Sequence, residues 1–337
     1  MMRMTVLASG SKGNSTVISS SRTRVLVDAG LSCRELLKRM ALVQEDPSTL
    51  DAILITHEHI DHVAGLAVLA RRLGIPVFFT EPTHRAWVRM LTPRTTMTYA
   101  KWLDHVQQEK EARAAAVAEA AAKPETAADL GAPRPALEDV GSTPVTNPLA
   151  DPISLQAACE PEPSRKSNPT RLPAVEYFRP GTNFCIGDLD ILPFTIPHDA
   201  ADPCGFVFSS EGVRMALATD LGYVPPNVKA ALKRINVLLL ESNHDLEMLR
   251  DGPYPWSVKQ RVLSRVGHLS NDATAEFLST DYDGNASYII LGHLSESNNV
   301  PELARIAAEQ ALSNHPTLLG NRVLLATQST PMDSITL

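Results

Sequence analysis

Residues 53–62 read ILITHEHIDH: an apolar run that ends at Thr56, then His57, His59, Asp61 and His62. The apolar part is a buried strand by pattern. His57 and His59, two apart on extended chain, point the same way and can share one metal ion. Asp61 and His62 fall where the chain turns into the next helix, within reach of a second ion. Asp61 alone would serve as an N-cap for a helix starting near Val63. Four such groups in six residues, straight after a strand, read better as ligands. Nitrogen and oxygen donors without thiolate suit Zn, Mn or Fe rather than a structural zinc.

The same placement recurs further along the chain. His198 follows LDILPFTIP, Asp220 follows VRMALAT, His244 follows VLLLESN and His293 follows SYIILG. Donors delivered from successive strand ends converge at one sheet edge, as α/β folds commonly arrange. Strand-like runs and one helix-like run, VAGLAVLARRLG, alternate over residues 1–102, and the pattern resumes from 175. Between them HVQQEKEARAAAVAEAAAK reads as a solvent-exposed helix. A proline-rich stretch with few large apolar residues follows, so residues 103–174 are expected to form a flexible insertion in a single domain, 1–337. His84, His105 and His315 stand outside any motif and read as surface residues.

The chain has 337 residues, enough for a sizeable core, with ordinary proportions of apolar and charged side chains. It shows neither a signal-peptide h-region nor an apolar run long enough to span a membrane. Four scattered cysteines suggest neither disulfides nor a thiolate zinc site, so a cytoplasmic protein with reduced thiols is expected. A net charge of −7 speaks against coating nucleic acid by bulk electrostatics. It leaves room for a nuclease whose cations hold phosphate locally.

The order His-x-His-x-Asp-His, then His, Asp and His at strand ends, resembles the metallo-β-lactamase superfamily. More narrowly ASGSKGNST, LVDAGLS, THEHIDH, PHDAADPCGF, ATDLG, ESNHDLEMLRDGPYP, GHLSN and GHLSESNN resemble its YycJ/WalJ exonuclease branch, a neighbour of the phosphoribosyl cyclic phosphodiesterases. The resemblance covers residues 1–102 and 175–310. It implies an α/β fold, the four-layer αββα sandwich, interrupted here by the long Ala/Pro-rich insertion. It implies two divalent metal ions, Zn2+ or Mn2+ with Fe as a further option. His57, His59 and His198 would hold one, Asp61, His62 and His293 the other, with Asp220 bridging. Asp28, at the end of VLVD, reads as an orienter of a ligand histidine.

Gly-His-Leu-Ser occurs twice, at 267–270 and 292–295. His293 ends a strand and belongs with the ligands. His268 follows WSVKQRVLSRVG, a helical pattern with Gly267 in the terminating position, and is assigned to substrate. As an imidazolium it can bind phosphate or protonate the leaving oxygen. Asp61 and His268 are the expected catalytic residues. His244, Ser270 and Asn271 are expected at the substrate. The GSKGNST loop lacks phosphate-loop spacing and reads as a turn. The resemblance puts it at the site rim, with Ser11, Asn14 and Ser15 available to phosphate. Lys259, Arg261 and Arg265 are candidates for DNA-backbone contacts.

The expected function is a dinuclear metal-dependent phosphodiesterase, a 5′→3′ double-strand DNA exonuclease acting through a metal-bridging hydroxide. DNA is the expected partner. A cyclic phosphodiesterase of the phosphoribosyl type, or another hydrolase of the same fold, stays open as an alternative.

Overall fold

The computed structural model describes residues 1–92, 168–313 and 321–337. The expected insertion lies outside the described residues up to 167, as do the helix read at 105–123, His105 and His315.

Two seven-stranded mixed sheets follow the same plan. The first contains β1 (Arg3–Ala8), β2 (Ser15–Ser19), β3 (Arg24–Val27), β4 (Ala52–Leu54), β5 (Val77–Phe79) and β6 (Val175–Tyr177). β14 (Ile335–Thr336) closes its far edge beside β1. The second runs in order from β7 (Phe184–Ile186), β8 (Leu189–Thr195), β9 (Cys204–Ser210) and β10 (Val213–Ala218) to β11 (Val237–Glu241), β12 (Tyr288–Gly292) and β13 (Arg322–Leu325). Each sheet has an antiparallel half and a half joined by parallel crossovers.

The central strands are apolar on both faces because each sheet is covered on both sides there. Val25 and Val27 face the other sheet, whereas Leu26 faces the helices. In the second sheet Leu239 and Ile290 pack between the sheets, and Leu238, Leu240 and Leu291 pack under helices. Three buried clusters result, one between the sheets and one under each helix layer. This is the expected αββα sandwich. A slip of one residue in any of these central strands would exchange its two apolar faces, so packing locks the register. Each fully buried aliphatic or Phe side chain is worth roughly 1.5–3 kcal/mol, which makes that lock strong. The residue following each strand is thereby fixed in place.

The helix-like run after ILITHEHIDH forms Leu66–Leu73, preceded by the short helix Ile60–Val63. His59, not Asp61, occupies the N-cap position of that short helix, and Asp61 lies in its first turn. The run WSVKQRVLSRVG is helical only over Trp256–Val262, with Leu263 at its end. Gly267 is therefore not the terminator that its position in the pattern suggested. It is a point of close approach, where a Cβ would lie 2.1 Å from the carbonyl oxygen of Val262. His84 is no simple surface residue either. It is half-buried, stacks on Phe79 and Trp87, and bonds the Tyr177 hydroxyl through Nδ1. Among the described residues no helix is long and apolar enough to cross a membrane.

Candidate metal centre and cleft

The ends of β3, β4, β8, β10, β11 and β12 bring their following residues to one edge of the sandwich. His57 Nε2 lies 3.1 Å from His59 Nδ1, and His198 Nε2 lies 3.3 Å from the same atom. Beside this triad, His62 Nε2 is 3.5 Å from Asp61 Oδ2, and His293 Nε2 is 3.8 Å from that oxygen. Asp220 sits between, 3.4 Å from His62 Nε2 through Oδ2 and 3.4 Å from His293 Nδ1 through Oδ1. Ligand atoms of His57, His59 and His198 form one compact group, and those of Asp61, His62 and His293 another. A third group joins His57, His62 and Asp220.

The residues fit divalent cations. Asp220 Oδ2 and His293 Nε2 are buried without a hydrogen-bond partner, although buried polar atoms are almost always paired. An imidazole nitrogen and a carboxylate oxygen left bare at the centre of such a group are what cations would satisfy. Protonation tells the same story. Burial pushes His62 down, but Asp220, Asp28 and Asp61 outweigh it and raise the imidazole to about 9. His293 is likewise raised, with Asp220, Asp61 and Glu241 overcoming its burial. His57 goes the other way, pushed well below its ordinary value by burial and by the neighbouring histidines. The carboxylates here favour positive charge at the centre, which divalent cations would supply.

The rings of His57, His62, His198 and His293 are each held through Nδ1 by a neighbouring group. His62 Nδ1 is 2.8 Å from Asp28 Oδ2, and the Thr56 hydroxyl donates to the same oxygen at 2.8 Å. His57 Nδ1 lies 3.0 Å from that hydroxyl. His198 Nδ1 faces the Gly267 carbonyl oxygen at 3.2 Å, which gives the first Gly-His-Leu-Ser a share in the metal site. Glu241 receives two further rings: His293 Nδ1 and His268 Nδ1 each lie 2.8 Å from Oε1. Its Oε2 accepts from the backbone N–H of Leu221 at 2.8 Å and of Leu269 at 3.3 Å. Fully buried and surrounded by donors, Glu241 is held far below the usual carboxylate range: burial opposes this, but His268 and His293 overcome it. An ionised carboxylate only accepts, so both rings carry their proton on Nδ1.

Sequence reading did not single out Glu241, whose only local signal is its position at the end of an apolar strand. It also missed the backbone. Asp28, Asp220 and His293 have φ of 60°, 62° and 55°, the left-handed region that side chains rarely adopt. Strain of this kind collects at functional sites and persists because the surrounding packing enforces it.

A cleft of about 200 Å³ opens over the centre, lined by residues that include Ser11, His59, Asp61, Asp220, Arg261 and His268. Of the substrate candidates, Ser11 alone lines it. Asn14 is buried beneath, its Nδ2 3.0 Å from His62 Nε2 and donating to Asp61 Oδ2 at 3.3 Å. The Ser15 hydroxyl donates to the Asp28 carbonyl. Ser270 caps the helix Asn271–Thr280 by accepting from Ala273 N, and Asn271 belongs to a buried amide network with Ser242 and Asn299. His244 is buried, with neither ring nitrogen bonded among the described residues, and burial pushes it down to about 4. These five residues do not line the cleft; caps, turns and buried networks use the side chains of all but His244.

Two loops brace Asp61 from below. Asn14 N donates to the Asp61 carbonyl at 2.7 Å, and Gly30 N donates to the Asn14 carbonyl at 3.0 Å. A Cβ on Gly30 would lie 1.6 Å from the Asp61 carbonyl oxygen. Gly30→Ala is therefore expected to destabilise the protein by roughly 3 kcal/mol, the upper range for overpacking. It is also expected to lower metal content by moving Asp61. Denaturant unfolding and metal analysis check both, and a variant with wild-type values in each would contradict the brace.

An αββα sandwich with imidazoles and carboxylates gathered at one edge defines the metallo-β-lactamase-fold class of metal-dependent hydrolases. The chain belongs to the metallo-β-lactamase superfamily, whose family model matches residues 8–258. It is 31% identical over 311 residues to the exodeoxyribonuclease WalJ of Streptococcus pneumoniae serotype 2, covering 92% of this chain and 88% of that one. It is 30% identical over 311 residues to the exodeoxyribonuclease YycJ of Bacillus anthracis, covering 92% and 89%. Among solved structures, the metallo-β-lactamase-fold protein YhfI from Bacillus subtilis superposes with a TM-score of 0.58 at 14% identity, covering 98% of each chain.

Proposed function

We propose that this protein hydrolyses DNA from its ends, as a 5′→3′ double-strand exonuclease using two divalent cations, with Zn2+, Mn2+ or Fe suited to the donors. The observation that carries the reading is Glu241, which holds one imidazole in the ligand cluster and a second, His268, in the cleft beside it. Relatives of similar length carry the name exodeoxyribonuclease, which selects DNA among phosphodiesters.

In this reading His57, His59 and His198 would hold one cation, Asp61, His62 and His293 the other, and Asp220 would be shared by the two. When bound, the pair supplies Lewis acidity, making water nucleophilic near neutral pH and offsetting charge that develops on phosphate. The chain's residues do the remaining work. Asp28, Thr56 and the Gly267 carbonyl fix the outward nitrogens of three ligand rings, which keeps the inward ones aimed. Asp61, partly exposed at the cleft, is both ligand and catalytic carboxylate. His268 keeps Nδ1 on Glu241, so Nε2 is its working nitrogen, which delivers a proton to the departing oxygen. Ser11 at the lip is placed to bond a phosphate oxygen. A cytoplasmic location, where duplex ends are met, completes the proposal.

Digestion of a 5′-phosphorylated linear duplex by manganese-loaded protein tests it, with His59→Ala prepared identically as the blank. Mononucleotide release by the wild type alone is the expected result. Silence on duplex and single strand, in protein shown to carry metal, would sink the nuclease reading and turn attention to cyclic, nucleotide-sized phosphodiesters.

A further inference from the structure

A duplex approaching a protein with a net charge of −7 meets overall repulsion, so any cations beside the cleft carry unusual weight. Among the described residues, the Lys or Arg side chain that lines the cleft is Arg261. The neighbour of cleft-lining Ser11 is Lys12, whose side chain is largely exposed. Both are held by carboxylates. Arg261 Nε donates to Asp199 Oδ2 at 2.5 Å, and Lys12 Nζ meets Glu296 Oε2 at 2.5 Å. The two acids come from equivalent places. Asp199 directly follows ligand candidate His198, and Glu296 lies three residues after His293. Each of those strand-end loops thus supplies a ligand candidate and, beside it, an acid that holds one cation.

The other basic residues of this region are engaged elsewhere. Lys259 Nζ donates to the Arg250 carbonyl, and the Arg265 guanidinium lies 4.3 Å over the Tyr223 ring. Neither lines the cleft. Exposed ion pairs are worth about 0–1 kcal/mol, so exchanging such a carboxylate for a phosphate costs little. The new charge-assisted contact with a phosphodiester oxygen is at least as strong.

We propose that Lys12 and Arg261 are the DNA-backbone contacts flanking the cleft, and that Glu296 and Asp199 hold these cations in the free protein until phosphates displace the acids. This rests on the nuclease reading and adds to it where the backbone lies and how an acidic protein admits it.

The test is equilibrium binding of a fluorescent duplex with phosphorothioate ends, followed by anisotropy between about 50 and 200 mM NaCl. Lys12→Gln and Arg261→Gln are each expected to weaken binding and to lower the slope of log Kd against log salt by about 1. Glu296→Gln is expected to act oppositely, tightening binding roughly two- to five-fold, the worth of the pair it frees. In a Lys12→Gln background the same change is expected to do nothing, because there is no cation left to release. Unchanged salt slopes in both cation variants would overturn the proposal while wild-type binding and digestion left the nuclease reading standing. Equal tightening by Glu296→Gln in both backgrounds would also overturn it, showing a general field effect instead. A wild-type protein that neither bound nor digested duplex would remove the nuclease reading, and this proposal with it.

Discussion

Asp220→Asn is expected to lower duplex hydrolysis on the order of 10³-fold and to reduce bound metal. Asparagine has the same shape, so the substitution isolates charge from packing. The carboxylate lies almost fully buried at the centre of the cluster, with Oδ2 unpartnered and His62 and His293 each 3.4 Å away. It groups with His57 of one triad and His62 of the other, so in the reading proposed above it would serve both cations. Replacing it with an amide removes a negative charge there and turns N–H groups toward sites that need acceptors. A loss of several kcal/mol in stabilisation of the reacting phosphate follows. At 1.36 kcal/mol per decade, that is the 10³-fold stated.

Metal removal gives an independent reading of the same variant. A cation that binds the folded chain alone stabilises it by mass action, so a chelator is expected to lower the Tm of the wild type. The shift is expected to be smaller in Asp220→Asn, which starts with weaker binding. Wild-type metal content, chelator response and turnover in this variant would remove Asp220 from the centre of the site.

What the sequence disclosed and what it hid follow from how local each signal is. ILITHEHIDH was legible because its donors are crowded within six residues after an apolar run, and the spacing of His57 and His59 sets those two on one side of the chain. His198, Asp220 and His293 were legible for a related reason, since each follows a largely apolar strand whose burial fixes its register. Polar residues beside the motifs were read too generously. Ser15, Ser270 and Asn271 share runs with site residues, but the serine hydroxyls bond backbone groups and the amide a buried network. Gly267 looked like a helix terminator because the helical pattern continues past Val262, yet the chain turns earlier and the glycine makes room for carbonyl oxygens. Left-handed φ at Asp28, Asp220 and His293 left no trace in composition, because packing at the strand ends imposes it. Glu241 was hidden for the same reason: its partners lie 20 to 52 residues away and meet only when three strand ends align.

Glu241 is also where the second large effect is expected. Glu241→Ala should destabilise the protein by about 3–5 kcal/mol, the cost of removing one member of a buried charged network. It strands the Nδ1–H groups of His268 and His293 together with the backbone N–H groups of Leu221 and Leu269. Glu241→Gln is not conservative here. Glutamine has one accepting oxygen, and whichever pair of donors it serves, its amide N–H2 faces the other pair. If the oxygen stays with the imidazoles, two buried backbone amides lose their acceptor, at roughly 1–3 kcal/mol for such a group. If it turns to the backbone, His268 and His293 lose the hydrogen bond that sets which nitrogen faces the centre. Metal affinity is then expected to fall about 10–100-fold, as when the partner of a metal-binding histidine is removed. His268→Ala separates the two tasks of the repeated Gly-His-Leu-Ser. It should keep wild-type metal affinity, because His293 retains its acceptor, and lose about 10²–10⁴-fold in kcat, the usual worth of a positioned acid. Metal titration and initial rates on the three variants decide the matter. Were Glu241→Gln to bind metal and unfold as the wild type does, the carboxylate would not be what assigns one histidine to the metal and the other to the proton.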